Sequence, residues 1–186
     1  AYNNSFADIP FIIDRSTQSS YFTEQIDSSI KEICAAMNNR GTVRVITAGR
    51  IPVLEYTGSA EALKDFNSSG LKNPVSSEVS LDLAFRLAAN DLVIGEKKRA
   101  VVLLTAGKVT SKSFSNYNLS EIAAFYNNNS INFSVVQMTQ SAISSEINYL
   151  VENTRGGLYY VFRSEGLSPL VKDLIEIPEG VYQLSF

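Results

Sequence analysis

Residues 11 to 20 read FIIDRSTQSS, in which a carboxylate, Asp14, closes an apolar run and Ser16, Thr17, Gln18, Ser19 and Ser20 follow with hydroxyl and amide groups. Oxygen donors bunched after a strand suit a hard divalent cation, which collects about six oxygens. The same residues suit a simpler task, accepting hydrogen bonds from the backbone N–H groups that open the next helix. Glu78, in SSEVS, is a second carboxylate on a loop expected to lie alongside, available to a metal or to a catalytic pair with Asp14.

Other chemistries are excluded by what the chain lacks. It contains no His, so Ser-His-Asp, Cys-His and HExxH arrangements are absent. TAGKVTS (Thr105 to Ser111) has Gly-Lys without the first glycine or the spacing of a phosphate loop. The pair Gly156-Gly157 precedes a strand and reads as a turn. The single cysteine, Cys34, cannot form an internal disulfide and falls in the apolar pattern of a helix, where it is expected to be buried and inert.

The chain has 186 residues, 45% of them hydrophobic and 19% charged, enough to bury the core of one ordinary domain. Sixteen basic residues are scattered against nineteen acidic ones, and only Lys97, Lys98 and Arg99 adjoin. A nucleic-acid binder needs a concentrated cationic footprint, so nucleic acid is not expected as a partner. No segment approaches the ~20 apolar residues of a membrane span, so no membrane insertion by this segment is expected. The chain opens without Met on AYNNSFADIP and closes on VYQLSF, an alternating run like a strand cut short; we expect a piece of a longer protein.

Periodicity supplies the scaffold. Ile9 to Asp14 and Arg99 to Gly107 are continuous apolar runs of strands covered on both faces. Tyr21, Phe22, Ile26, Ile30, Ile33, Cys34 and Met37 recur at helical spacing and stop at Asn38, Asn39 and Gly41. Thr42 to Ala48 alternates, and a tight connection at Gly49-Arg50 leads to Ile51 to Thr57, a junction that only antiparallel neighbours allow. Helices are expected over Val79 to Leu92, Leu119 to Tyr126, Ser144 to Asn153 with Ser144 as its cap, and Leu167 to Ile175. Strands are expected over Ile131 to Met138 and Gly157 to Phe162. The alternation defines a three-layer, doubly wound α/β fold: a mostly parallel sheet with one antiparallel edge strand and helices on both faces. Ligands of such sheets bind where loops converge at the carboxyl ends of the strands, here after Asp14, before Val79, after Thr105 and after Met138.

The order of elements and the stretches FIIDRSTQS, SSEVSLDLAFRLA and RAVVLLTAGK resemble the von Willebrand factor A domain, the integrin I-domain family, from about Ile9 to about Lys172. The resemblance implies one domain over residues 1–177. A terminal strand is expected at 178–186, as the start of or a link to a following module or, equally, as an extra edge strand of this same domain. It also implies a magnesium site held by an Asp-x-Ser-x-Ser run, a Thr from a second loop and an Asp after the central strand. Asp14 and Ser16 match. Gln18 stands where the run has its last Ser, with Ser19 as a register-shifted substitute; Val79 stands at the Thr position, and Ala106 where the acid belongs.

Two family-matched ligands hold magnesium weakly, so we expect a vestigial site, no cofactor beyond weak Mg²⁺, and a non-catalytic adhesion or assembly module that binds a protein. Partner contacts are expected at Gln18, Ser19, Ser77, Glu78, Lys108, Phe114 and Tyr117, the alternative for Phe114 and Tyr117 being that both rings pin their loop onto the domain. The alternatives are a metal-dependent adhesion domain using Asp14, Ser16 and Glu78, and an enzyme using the Asp14/Glu78 pair. A further role is architectural, spacing a larger chain. Domains of the family are often exported, which makes an extracytoplasmic location the expectation.

Overall fold

The computed structural model describes residues 7–90 and 98–175. The strand expected over 178–186, and the end of the helix expected to reach Leu92, lie outside them. Six strands form one sheet: β1 (Ala7–Asp14), β2 (Gly41–Ala48), β3 (Pro52–Ser59), β4 (Lys98–Thr105), β5 (Asn132–Gln137) and β6 (Leu158–Tyr160). Their spatial order is β3-β2-β1-β4-β5-β6, all parallel except β3, which runs antiparallel to β2 at the edge.

The apolar runs of β1 and β4 follow from their central places. In β4, Val102 and Leu104 enter one core layer and Val101 and Leu103 the other, so a polar residue on either side would be stranded. The first layer lies under α1 (Thr23–Met37) and α5 (Ser168–Ile175), and is filled by Ile26, Ile30, Ile33, Leu170 and Leu174 against Phe11, Ile13 and Val45. The second lies under α2 (Leu81–Asn90), α3 (Leu119–Asn128) and α4 (Ser145–Asn153). Its centre is aromatic: the Phe85 ring meets Phe133 edge-on at 5.0 Å between centroids, and the buried Tyr126 hydroxyl donates to the Phe85 carbonyl at 2.7 Å.

The helix ends match the chemistry around them. α1 stops at Asn38, which adopts φ 49°, a left-handed geometry that Asn tolerates better than most residues. α3 opens on a capping box in which the Asn118 side chain accepts from the Glu121 N–H while Glu121 accepts from the Asn118 N–H. Ser144 does occupy the N-cap of α4, but its hydroxyl makes no capping bond and is buried without a partner. Tyr21, read as part of the helical stripe, lies in a 3₁₀ turn before α1 and is 78% exposed.

Candidate functional site

At the carboxyl ends of the central strands a buried polar network replaces the apolar core. Asp14 ends β1 with only 3% of its surface exposed. Its Oδ1 accepts from the Ser16 N–H at 2.9 Å, and its Oδ2 accepts from the Ser19 hydroxyl at 2.8 Å and the Thr105 hydroxyl at 2.7 Å. Ser19 Oγ then accepts from the Ala106 N–H at 2.9 Å, and Thr105 Oγ1 from the Gly107 N–H at 3.0 Å. The carboxylate thus stitches the loop after β1 to the loop after β4. A buried charge with three short donors has much of its lost hydration replaced.

Gly107 makes this crossing possible. It sits at φ 87°, and a Cβ there would lie 2.3 Å from Oε1 of Gln137, the last residue of β5. The Gln137 amide donates to the Thr139 hydroxyl and the Ser141 carbonyl, and Thr139 donates to the Ala106 carbonyl, so the β5–α4 loop joins the same network.

The role expected for Asp14 changes accordingly. It takes one N–H from its own loop, two residues on, and spends its other oxygen on hydroxyls; the N–H groups that open α1 are not its partners. Ser19, next to the fifth position of the run, is buried with its hydroxyl donating to Asp14. Gln18 is exposed. The second loop reaches the first by backbone: Ser16 pairs with Ser76 and the Ser76 N–H donates to the Arg15 carbonyl at 2.9 Å. Ser77 and Glu78 beyond it are exposed, while Val79 packs against the second core layer. Ala106 is buried and offers only its backbone groups.

Lys108 is exposed, but the aromatic pair expected beside it is not displayed for contact. Phe114 is 7% exposed and packs on Phe85, with ring centroids 6.0 Å apart. Tyr117 lies under the Arg86 guanidinium, 4.7 Å from the ring centre. Both rings pin the loop onto the domain. The loop is held further by buried Asp82, whose Oδ2 accepts from the N–H groups of Asn116 at 2.6 Å and Tyr117 at 2.9 Å. Asp82 was invisible as a site residue because it sits inside the α2 pattern; Thr105 left a trace, as the polar residue that ends an apolar strand. Glu55 was likewise missed. It falls at an irregularity in the β2–β3 register, where it accepts from the Thr47 hydroxyl and the Lys72 and Asn73 N–H groups.

Apart from the exposed Gln18, the positions that the resemblance assigns to a cation are engaged within the domain or lack a side-chain donor. Ser16 Oγ is engaged by the Ser19 N–H at 3.3 Å, Asp14 is occupied as described, and position 106 has no side-chain oxygen. Among the described residues no group of three or more His, Cys, Asp or Glu is arranged to hold a metal ion.

No family profile and no curated protein matches the chain by sequence. Solved structures do match by shape. The VWA domain of SpRpn10 is similar at 14% identity and a TM-score of 0.64, over 90% of this chain and 94% of that one. BatB of Bacteroides thetaiotaomicron is similar at 13% identity and a TM-score of 0.62, over 96% and 98%. Proximal thread matrix protein 1 of the mussel byssus, in a structure with a zinc-occupied MIDAS motif, is similar at 14% identity and a TM-score of 0.70; the match covers 92% of this chain and 45% of that protein. The chain therefore has the von Willebrand factor A fold, as the sheet order, the single antiparallel edge and the two helical layers define it.

Proposed function

We propose that this domain is a non-catalytic protein-recognition module that works without a bound divalent cation. The observation that supports this most is the engagement of Asp14: its two oxygens take three donors from within the domain, so an incoming ion would have to displace hydroxyls already at hydrogen-bond distance. Ala106 adds no compensating charge. The same inward turn of Asp14 argues against a catalytic pair with Glu78, because a general acid or base must reach a substrate proton.

Recognition then falls to the exposed residues that crown the sheet. Gln18 and Tyr21 follow β1, Ser77 and Glu78 precede α2, and Lys108 follows β4. Tyr21 is the anchor of this surface, a large ring on a short turn that loses little freedom on binding. Immobilised domain, offered an extract of the source cells with and without EDTA, tests the proposal. A partner retained equally in both, and lost with Tyr21→Ala, is expected; retention that EDTA abolishes contradicts it.

The compartment we propose is extracytoplasmic. One structural neighbour is a matrix protein of the mussel byssus and another an aerotolerance-related membrane protein of Bacteroides fragilis. No described helix is long and apolar enough to cross a membrane. Fractionation of source cells with an antibody to the domain checks the assignment, and co-fractionation with cytosolic markers contradicts it.

A further inference from the structure

Between α1 and the segment that joins β6 to α5 lies a cavity of about 470 Å³, within the range of about 300–1,000 Å³ typical of ligand sites. None of the residues in the Asp14 network lines it. Its two walls differ in kind. Glu24, Ser28 and Glu32 come from α1, four residues apart and so on one stripe of the helix. Facing chemistry is apolar, from Met138 after β5 and from Val161 and Leu167 on either side of the β6–α5 turn. Phe162 also lines the cavity while leaving 42% of its surface exposed.

The charge in the cavity is one-sided. No Lys or Arg lines it, and neither glutamate is ion-paired among the described residues. Glu32 uses Oε2 to accept from the Leu167 N–H at 3.2 Å, which ties α1 to the entry of α5. Its other oxygen and both oxygens of Glu24 take no hydrogen bond from the described residues. Arg163, the cation next in sequence to Phe162, is held over the Tyr160 ring at 4.3 Å and does not line the cavity.

Two carboxylates, an open aromatic ring and an apolar lining match a side chain with an aliphatic stem and a cationic head. We infer that this cavity receives a Lys or Arg side chain of a protein partner. The stem lies against Met138, Val161 and Leu167, and the head reaches Glu24 and Glu32 beside Phe162. The inference rests on the reading of the domain as a recognition module and adds the chemistry of what it recognises.

The two methionines of the chain make the test direct. Met138 lines the cavity, and Met37, buried in the first core layer, serves as a reference. The methyl-labelled domain is titrated by NMR with N-acetyl-arginine N-methylamide, its uncharged citrulline isostere, and putrescine. The arginine probe is expected to shift the Met138 methyl saturably and leave Met37 in place, with the citrulline probe roughly fivefold weaker or more. Glu24→Gln, alone and with Glu32→Gln, should weaken the arginine probe by about fivefold or more and leave the citrulline probe unchanged; Gln at position 32 keeps an acceptor for the Leu167 N–H. An unmoved Met138, equal binding of the citrulline probe, or indifference to both variants overturns the inference. Tighter binding of putrescine than of the blocked residue overturns the protein source. Failure here is distinguishable from failure of the module reading: a captured partner without probe binding sinks only the cavity, whereas probe binding without a partner sinks the module and with it the protein source, and leaves only the cavity's preference for a cationic head.

Discussion

Asp14 clasps the loop after β1 to the loop after β4. Its carboxylate accepts from Ser16, Ser19 and Thr105, so removal strands several buried donors at once. Asp14→Ala is expected to cost about 2–4 kcal/mol in urea unfolding, since each unsatisfied buried group costs about 1–3 kcal/mol. A change within about 0.5 kcal/mol, usual for surface positions, would contradict the clasp. The serine shift is tested at neighbouring positions. Ser19→Ala should cost about 1–3 kcal/mol, whereas Gln18→Ala, at an exposed residue, should fall within about 0.5 kcal/mol. The reverse order would restore the family register and refute ours. Cys34 provides a separate check: burial pushes its thiol up to about 12, so at pH 8 the folded domain carries almost no thiolate there. It should resist a thiol reagent until denaturant is added, and prompt reaction in the native state would show that α1 opens.

Elements hold these residues by anchors that sequence pattern does not reveal. Asp82 fastens the loop of 111–118 to α2 through two N–H groups, so Asp82→Ala should raise amide exchange at Asn116 and Tyr117 while sparing β1 and β4. Uniform acceleration across the sheet would mean that the loss is global. Gly107→Ala is expected to cost more than the ordinary glycine penalty, because the new methyl meets Gln137 as well as an unfavourable φ. The strands and helices were legible for a simple reason. Central strands such as β4 must be apolar on both faces, and α1 must repeat its apolar residues on one. Tyr21 departs from the helical stripe because periodicity counts apolar residues without knowing where a helix gives way to a 3₁₀ turn. Tyr21 keeps helical spacing yet is exposed, and Phe114, in a loop whose composition fits either contact or pinning, is buried. Ser19 stood out as a hydroxyl near Asp14 in sequence, and the structure gives it a hydrogen bond to that carboxylate. Glu55 and Asp82 take their partners from other segments, 8 to 18 and 34 to 35 residues away, and no local pattern marks them; Thr105, whose partner Asp14 is 91 residues away, shows only as the polar residue that ends an apolar strand.

At the scale of the whole molecule, the sheet brings the ends of β1, β4 and β5 together and decides what their loops can do. With Asp14 bound inwards and a buried Ala106 beside it, the top of the sheet is a hydrogen-bonded platform whose exposed residues include Gln18, Tyr21, Ser77, Glu78 and Lys108, the contact residues of the proposed recognition surface. Rigid platforms present several loops to one partner with little ordering cost. The proposal that the domain works without a cation also predicts what the family's ligands would do if introduced. Ala106→Asp combined with Gln18→Ser should be less stable than the parent without metal, because it adds a carboxylate beside a buried one, and Mn²⁺ should raise its melting temperature. A double variant as stable as the parent and indifferent to Mn²⁺ would show that the loops no longer permit a cation at all. The most direct test of metal independence is calorimetric titration of Mg²⁺ and Mn²⁺ into the unaltered domain. We predict no saturable heat through the millimolar range; a stoichiometric isotherm with a Kd at or below a millimolar, abolished by Asp14→Ala, would contradict it.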